Sequence, residues 1–82
     1  MDDTERTRRV HELDVSVWVG KGGIDAVRDE LDDQLSSTDL VKVKFLRAAR
    51  GGTDTESLAR ELAEAVDGTV LDVRGHTAVI ER

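Results

Sequence analysis

Apolar and polar residues alternate from Leu13 to Val19, with Leu13, Val15, Val17 and Val19 on one face and Asp14, Ser16 and Trp18 on the other. A period of two with β-branched residues predicts a strand. Gly20-Lys21-Gly22-Gly23 breaks it, and from Ile24 the apolar residues Ile24, Val27, Leu31 and Leu35 recur at helical spacing. That stripe predicts a helix ending near Ser36 or Ser37, with Asp25, Asp29, Asp32 and Asp33 largely outside it. Alternation returns over Leu40 to Leu46, placing Val41, Val43 and Phe45 inward and Lys42 and Lys44 outward. Ala48-Ala49-Arg50-Gly51-Gly52 then reads as a flexible loop. Thr53 with Glu56 has the spacing of a capping box, so a helix is expected from there to about Asp67, carrying Leu58, Leu62 and Val66 with Ala59 and Ala63. Gly68 stands where a left-handed helix cap takes glycine. Thr69 to Arg74 and Thr77 to Arg82 read as two strands turned at Gly75-His76.

The expected order is β-α-β-α-β-β, optionally preceded by a short helical turn around Thr4 to Glu12. Helices between strands force crossover connections and the last hairpin adds an antiparallel pair. The expected fold is therefore α/β: a small mixed four-stranded sheet with packed helices, forming a single domain over residues 1–82. With 82 residues there is no room for a second domain. No apolar run approaches a membrane span and Met1 to Arg9 is charged, so membrane insertion and secretion are not expected and a cytoplasmic location is. The absence of cysteine excludes disulfides, thiolate metal sites and a cysteine nucleophile.

Net charge at first points away from nucleic acid, since 12 Lys+Arg face 18 Asp+Glu. The distribution changes that picture. Leu40 to Gly52 holds Lys42, Lys44, Arg47 and Arg50 and no carboxylate, whereas Val15 to Asp39 holds two basic residues against six acidic ones. A local cluster governs its surroundings within a Debye length of about 8 Å. The acids comprise 11 Asp and 7 Glu, and only 3 Lys accompany 9 Arg. An Asp-rich, Lys-poor composition resembles that of halophilic microbes, where net charge maintains solubility in salt.

The glycine loop lies between a strand and an expected helix start, where unpaired N–H groups and the helix dipole favour an anion. Glycine permits close approach of a phosphate and Lys21 adds a mobile charge. The spacing is neither a P-loop nor a dinucleotide fingerprint, which would need glycine where Asp25 stands. It has the GxxG form that clamps nucleic-acid backbone in KH domains, although there the loop joins two helices. The alternative is a tight turn that merely needs glycine.

Taken together, Val17-Trp-Val-Gly-Lys-Gly-Gly-Ile24, the run Asp39-Leu-Val-Lys-Val-Lys44, the helix Leu58-Ala-Arg-Glu-Leu-Ala63 and the hairpin Val73-Arg-Gly-His-Thr-Ala-Val-Ile-Glu-Arg82 resemble the CRM domain, the YhbY-like family of RNA-binding proteins. The resemblance spans Leu13 to Arg82 and suggests an archaeal, halophile-type member. It implies a fold similar to the carboxy-terminal domain of translation initiation factor three. It also implies binding of structured RNA, through association with large-subunit ribosome precursors or, in plant organelles, promotion of intron splicing. Two features depart from the family pattern: Arg6, Arg8 and Arg9 stand among acids, and Glu81 replaces a frequent aromatic.

The expected function is non-enzymatic binding of ribosomal RNA or a ribosome precursor, with no cofactor, metal or small-molecule substrate. Gly20, Lys21, Gly22 and Gly23 would hold a backbone phosphate, and Lys42, Lys44, Arg47 and Arg50 would track its neighbours. An alternative is an interaction module whose acidic helices dock a basic partner such as a ribosomal protein. Trp18, outward with Lys42 and Lys44, either stacks a base or is covered by Val10 and the amino-terminal segment. The second has the greater weight, because a lone Trp in a small domain usually fills the core. His11 and His76 are too isolated to bind metal, and His76 reads as a turn residue. The pairs Asp2-Asp3 and Asp32-Asp33 read as solvated surface.

Overall fold

The computed structural model describes residues 12–82. Its two alternating stretches become neighbouring parallel strands, β1 (Val15–Val19) and β2 (Leu40–Phe45), with Val17 opposite Val43 and Val19 opposite Phe45. Parallel neighbours need a crossover, which helix α1 (Arg28–Ser37) supplies. Helix α2 (Thr55–Ala65) then leads into β3 (Thr69–Arg74) and β4 (Thr77–Glu81). The hairpin inserts β4 between β2 and β3, antiparallel to both, for a spatial order β1-β2-β4-β3. Gly75, at φ +54°, gives its two-residue turn the glycine-first pattern of a type II′ turn.

Both helices lie on one face of the sheet. Val17, Val19, Val41, Val43, Phe45 and Ile80 meet Leu31 and Leu35 from α1 and Leu58 and Leu62 from α2 in one apolar cluster. Full burial of one such side chain contributes about 1.5–3 kcal/mol. The outer helix faces carry the acids. Arg82 joins the two helices, its guanidinium pairing with Asp32 and donating to the carbonyl of Val66 at 3.2 Å. At the β1 edge, Gln34 bonds both the hydroxyl and the carbonyl of Ser16, at 2.6 and 3.2 Å.

Four local expectations are corrected. Leu13 does not share the face of Val17 and Val19: the register shifts between Val15 and Val17, and Leu13 packs with Leu40, Val79 and Leu71 on the opposite side. The first helix does not start at Ile24, because Ile24–Ala26 is a 3₁₀ turn and α1 begins at Arg28. The cap of α2 is Asp54, not Thr53; its carboxylate accepts from the Ser57 N–H at 2.7 Å, while Glu56 pairs with Arg60 at 2.7 Å. Finally, the left-handed residue after α2 is Asp67, at φ +57°, and not Gly68. The N–H of Gly68 bonds Ala63 at 2.7 Å and that of Asp67 bonds Glu64 at 3.3 Å, the pairing of a Schellman motif displaced by one residue. The helical turn expected over Thr4 to Glu12 falls almost wholly outside the described residues.

Gly68 is needed for space. A Cβ there would lie 2.9 Å from the Glu81 carbonyl oxygen and 2.9 Å from a methyl of Ile80. Gly68→Ala therefore lowers the denaturation midpoint. Asp67→Gly, which relieves left-handed strain, raises stability by about 0.5–1 kcal/mol. Urea titration of both variants checks this ordering, and a cap centred on Gly68 would not yield the gain at position 67.

Candidate functional site

The strand directions bring the charged loops together. Because β1 and β2 are parallel, the Gly20–Gly23 loop and the segment after Phe45 leave the sheet at the same end. Because β4 runs the other way, the hairpin tip arrives there too. The Leu46 N–H bonds the Val19 carbonyl at 2.8 Å, and the Phe45 N–H bonds that of His76 at 2.7 Å. These bonds fix glycine loop, basic loop and hairpin tip side by side.

Within the glycine loop, the Gly23 N–H donates to the Gly20 carbonyl at 3.0 Å and closes a turn. Among the described residues, the N–H groups of Lys21 and Gly22 meet no backbone carbonyl, and both residues are exposed. The loop enters the short 3₁₀ turn rather than the α-helix, so its donors toward an anion would be these amides and Lys21, not the α1 dipole. Gly22 also has a packing role, because a Cβ would lie 2.8 Å from that of Ala26.

The four clustered cations divide into two kinds. Lys44 and Arg47 are exposed and, like Lys21, form no ion pair among the described residues. Lys42 is half-buried, with its ammonium 3.4 Å from the Leu13 carbonyl, and Arg50 donates through Nε to the Phe45 carbonyl at 3.0 Å. Those two brace strand and loop while retaining other donors. Trp18 is 53% exposed, which overturns the expectation of a covered core residue; Val10, its expected cover, lies outside the described residues. Sequence reasoning left Thr77 and Arg74 unassigned, yet the pairings Lys44 with Thr77 and Thr77 with Arg74 bring both to this end of the sheet.

An open cleft of about 460 Å³ lies between the α2 start and the hairpin, lined by Arg50, Asp54, Glu56 and His76 among others. Its charges are mixed, and neither the glycine loop nor Lys44 reaches it. Among the described residues no group of His, Asp and Glu could hold a metal ion, and no helix is long and apolar enough to cross a membrane.

A helix-backed mixed sheet, with a glycine loop and cations that form no ion pair among the described residues at one end, defines a small α/β domain. The chain matches the CRS1/YhbY (CRM) domain over residues 3–82 and belongs to that family. It is 40% identical over 74 residues to "Probable RNA-binding protein MJ0652" of Methanocaldococcus jannaschii, a match covering 90% of this chain and 55% of that protein. The chain thus spans little more than half of that relative. The solution structure of the hypothetical protein SAV1595 from Staphylococcus aureus is similar at a TM-score of 0.76 and 31% identity, covering 93% of this chain and 78% of that one.

The cap beside the cleft titrates. Hydrogen bonding from the Ser57 backbone, then from its side chain, with the Arg60 charge adding to it, holds the Asp54 carboxyl below its ordinary range. The folded state therefore favours the ionised form. This stabilisation is complete above the unfolded value of about 4 and is lost as pH falls through the lower folded value. Asp54→Asn keeps a capping side chain without the charge. The stability advantage of the natural chain over Asp54→Asn, measured by urea denaturation, is expected at pH 7 and shrinks below about pH 4. A gap independent of pH would refute the charged cap.

Proposed function

We propose that this chain is a non-enzymatic RNA-binding domain that grips the backbone of structured RNA, ribosomal RNA or a large-subunit precursor, at the end of the sheet where its loops converge. The observation that carries this reading is the meeting of the Gly20–Gly23 loop with the unpaired cations Lys21, Lys44 and Arg47 beside a hairpin tip. The name of the M. jannaschii relative and the membership of the family support the ligand class. Exposed amides and Lys21 take one phosphate, and Lys44 and Arg47 take its neighbours, with the remaining donors of Lys42 and Arg50 in reserve. Such contacts position the RNA and read its shape more than its sequence.

A second reading has an observation of its own. Asp25, Asp29, Glu30 and Asp33 are exposed on or beside α1, a surface suited to a basic partner such as a ribosomal protein.

The test uses substitutions that the fold tolerates, so Gly22 is left intact. In fluorescence anisotropy with a structured fragment of large-subunit ribosomal RNA, Lys21→Ala combined with Arg47→Ala weakens binding roughly tenfold and reduces the log–log salt slope by about two. Charge reversal at Asp29 and Asp33 leaves RNA affinity undiminished. Equal curves for the natural chain and the double variant would remove the loop from the RNA interface. Loss of ribosomal-protein binding only on reversal of α1 would favour the second reading.

A further inference from the structure

Strand register aligns four polar or aromatic side chains in one row across the whole sheet. Trp18 on β1 stands opposite Lys44 on β2, Lys44 opposite Thr77 on β4, and Thr77 opposite Arg74 on β3. Their chain neighbours Val17, Val19, Val43, Phe45, Val73 and Ala78 face the helices, so the row occupies the face without them. At about 4.8 Å per strand it spans roughly 14 Å.

The exposure of Trp18 is selective. On the same face, nearer the opposite end of the sheet, Leu40 is 4% and Val79 2% exposed, closed over with Leu13 and Leu71. Trp18, at 53%, remains open beside Lys44. Arg74 meets Asp72 at 3.7 Å, an exposed pair whose loose geometry leaves the guanidinium available to a phosphate. An aromatic face with an ammonium on the neighbouring strand suits an unpaired nucleotide, its base on the ring and its phosphate on Lys44. Arg74, roughly 14 Å away at the far end of the row, suits a phosphate further along the same nucleic-acid strand. Continuity with the glycine loop favours RNA over a protein occupant, since Trp18 is two residues from Gly20 and Lys44 adjoins Phe45.

Resting on the RNA-binding reading above, we propose that Trp18 and Lys44 form a stacking platform for an unpaired nucleotide of the RNA whose backbone is held at the Gly20–Gly23 end, with Arg74 at the far end of the row taking a phosphate further along. The domain then binds a paired region next to an unpaired base rather than uniform duplex.

The chain has one Trp, so its emission reports this position alone. Two RNA probes with equal numbers of phosphates serve, one a blunt hairpin and the other a hairpin with a short single-stranded overhang. With the overhang probe, Trp18 emission is quenched and Trp18→Ala weakens binding about five- to 150-fold, the usual range for loss of one stacked base. Trp18→Phe retains most of that affinity, and blunt-hairpin binding changes less than about twofold in either variant. The platform is overturned if both probes bind alike with unchanged emission while Lys21→Ala with Arg47→Ala still weakens them, a result that leaves the backbone-binding reading standing. If the natural chain binds neither probe, both proposals fail. Quenching by a ribosomal protein, with no response to either RNA, would also overturn it.

Discussion

The parallel pairing of β1 with β2 is the constraint from which the rest follows. Joining two parallel strands requires a crossover, and α1 makes it over one face of the sheet. The second helix joins that layer because it shares the core of Leu31, Leu62, Phe45 and Ile80. With both helices on one side, the outward residues of the strands remain away from them. The same pairing sends the Gly20–Gly23 loop and the basic loop out at one end. An antiparallel β1 would have put them at opposite ends, and no local sequence change could restore their meeting.

This arrangement separates the charges. The acids of α1 and α2 lie on the outer surface of the helix layer, whereas Lys44 and Arg74, the latter with Asp72 beside it, belong to the opposite sheet face and Arg47 to its end. A helix packs about 10 Å from a sheet, and its outer face lies farther still. That exceeds the Debye length of about 8 Å at physiological ionic strength, so an anion at the sheet face senses the nearby cations much more than the distant carboxylates. The net charge of −6 is thus a property of the molecule and not of its candidate interface.

Strands, helices and their order were legible in the sequence because each rests on a local period that the tertiary structure preserves. The errors occurred where a distant contact decided between adjacent residues. Thr53 and Asp54 are both competent caps, and Asp54 takes the role when the Thr53 N–H is used by the Arg50 carbonyl at 3.2 Å. Glycine suits a left-handed cap, but Gly68 lies against Ile80 and Glu81, so Asp67 adopts the positive φ. Leu13 follows the alternation until a register shift turns it to the other face. At the site, the loop and the cation cluster could be found as contiguous segments. The row through Thr77 and Arg74 could not, because it exists only once the hairpin has inserted β4 beside β2. A lone Trp in a small domain usually fills the core, whereas Trp18 lies on the face away from both helices.

The candidate surface combines forces that respond differently to salt. Phosphate contacts by Lys21, Lys44 and Arg47, as proposed, would draw on counterion release and weaken as salt rises. The proposed stacking on Trp18 and hydrogen bonds from the Lys21 and Gly22 amides would depend on desolvation and close geometry, which salt screens far less. In concentrated salt such a surface would lose much of its ionic grip. In that solvent the aromatic ring and the glycine loop would supply a growing share of the affinity, and two groups that are secondary in dilute buffer would then decide whether the domain stays on its ligand.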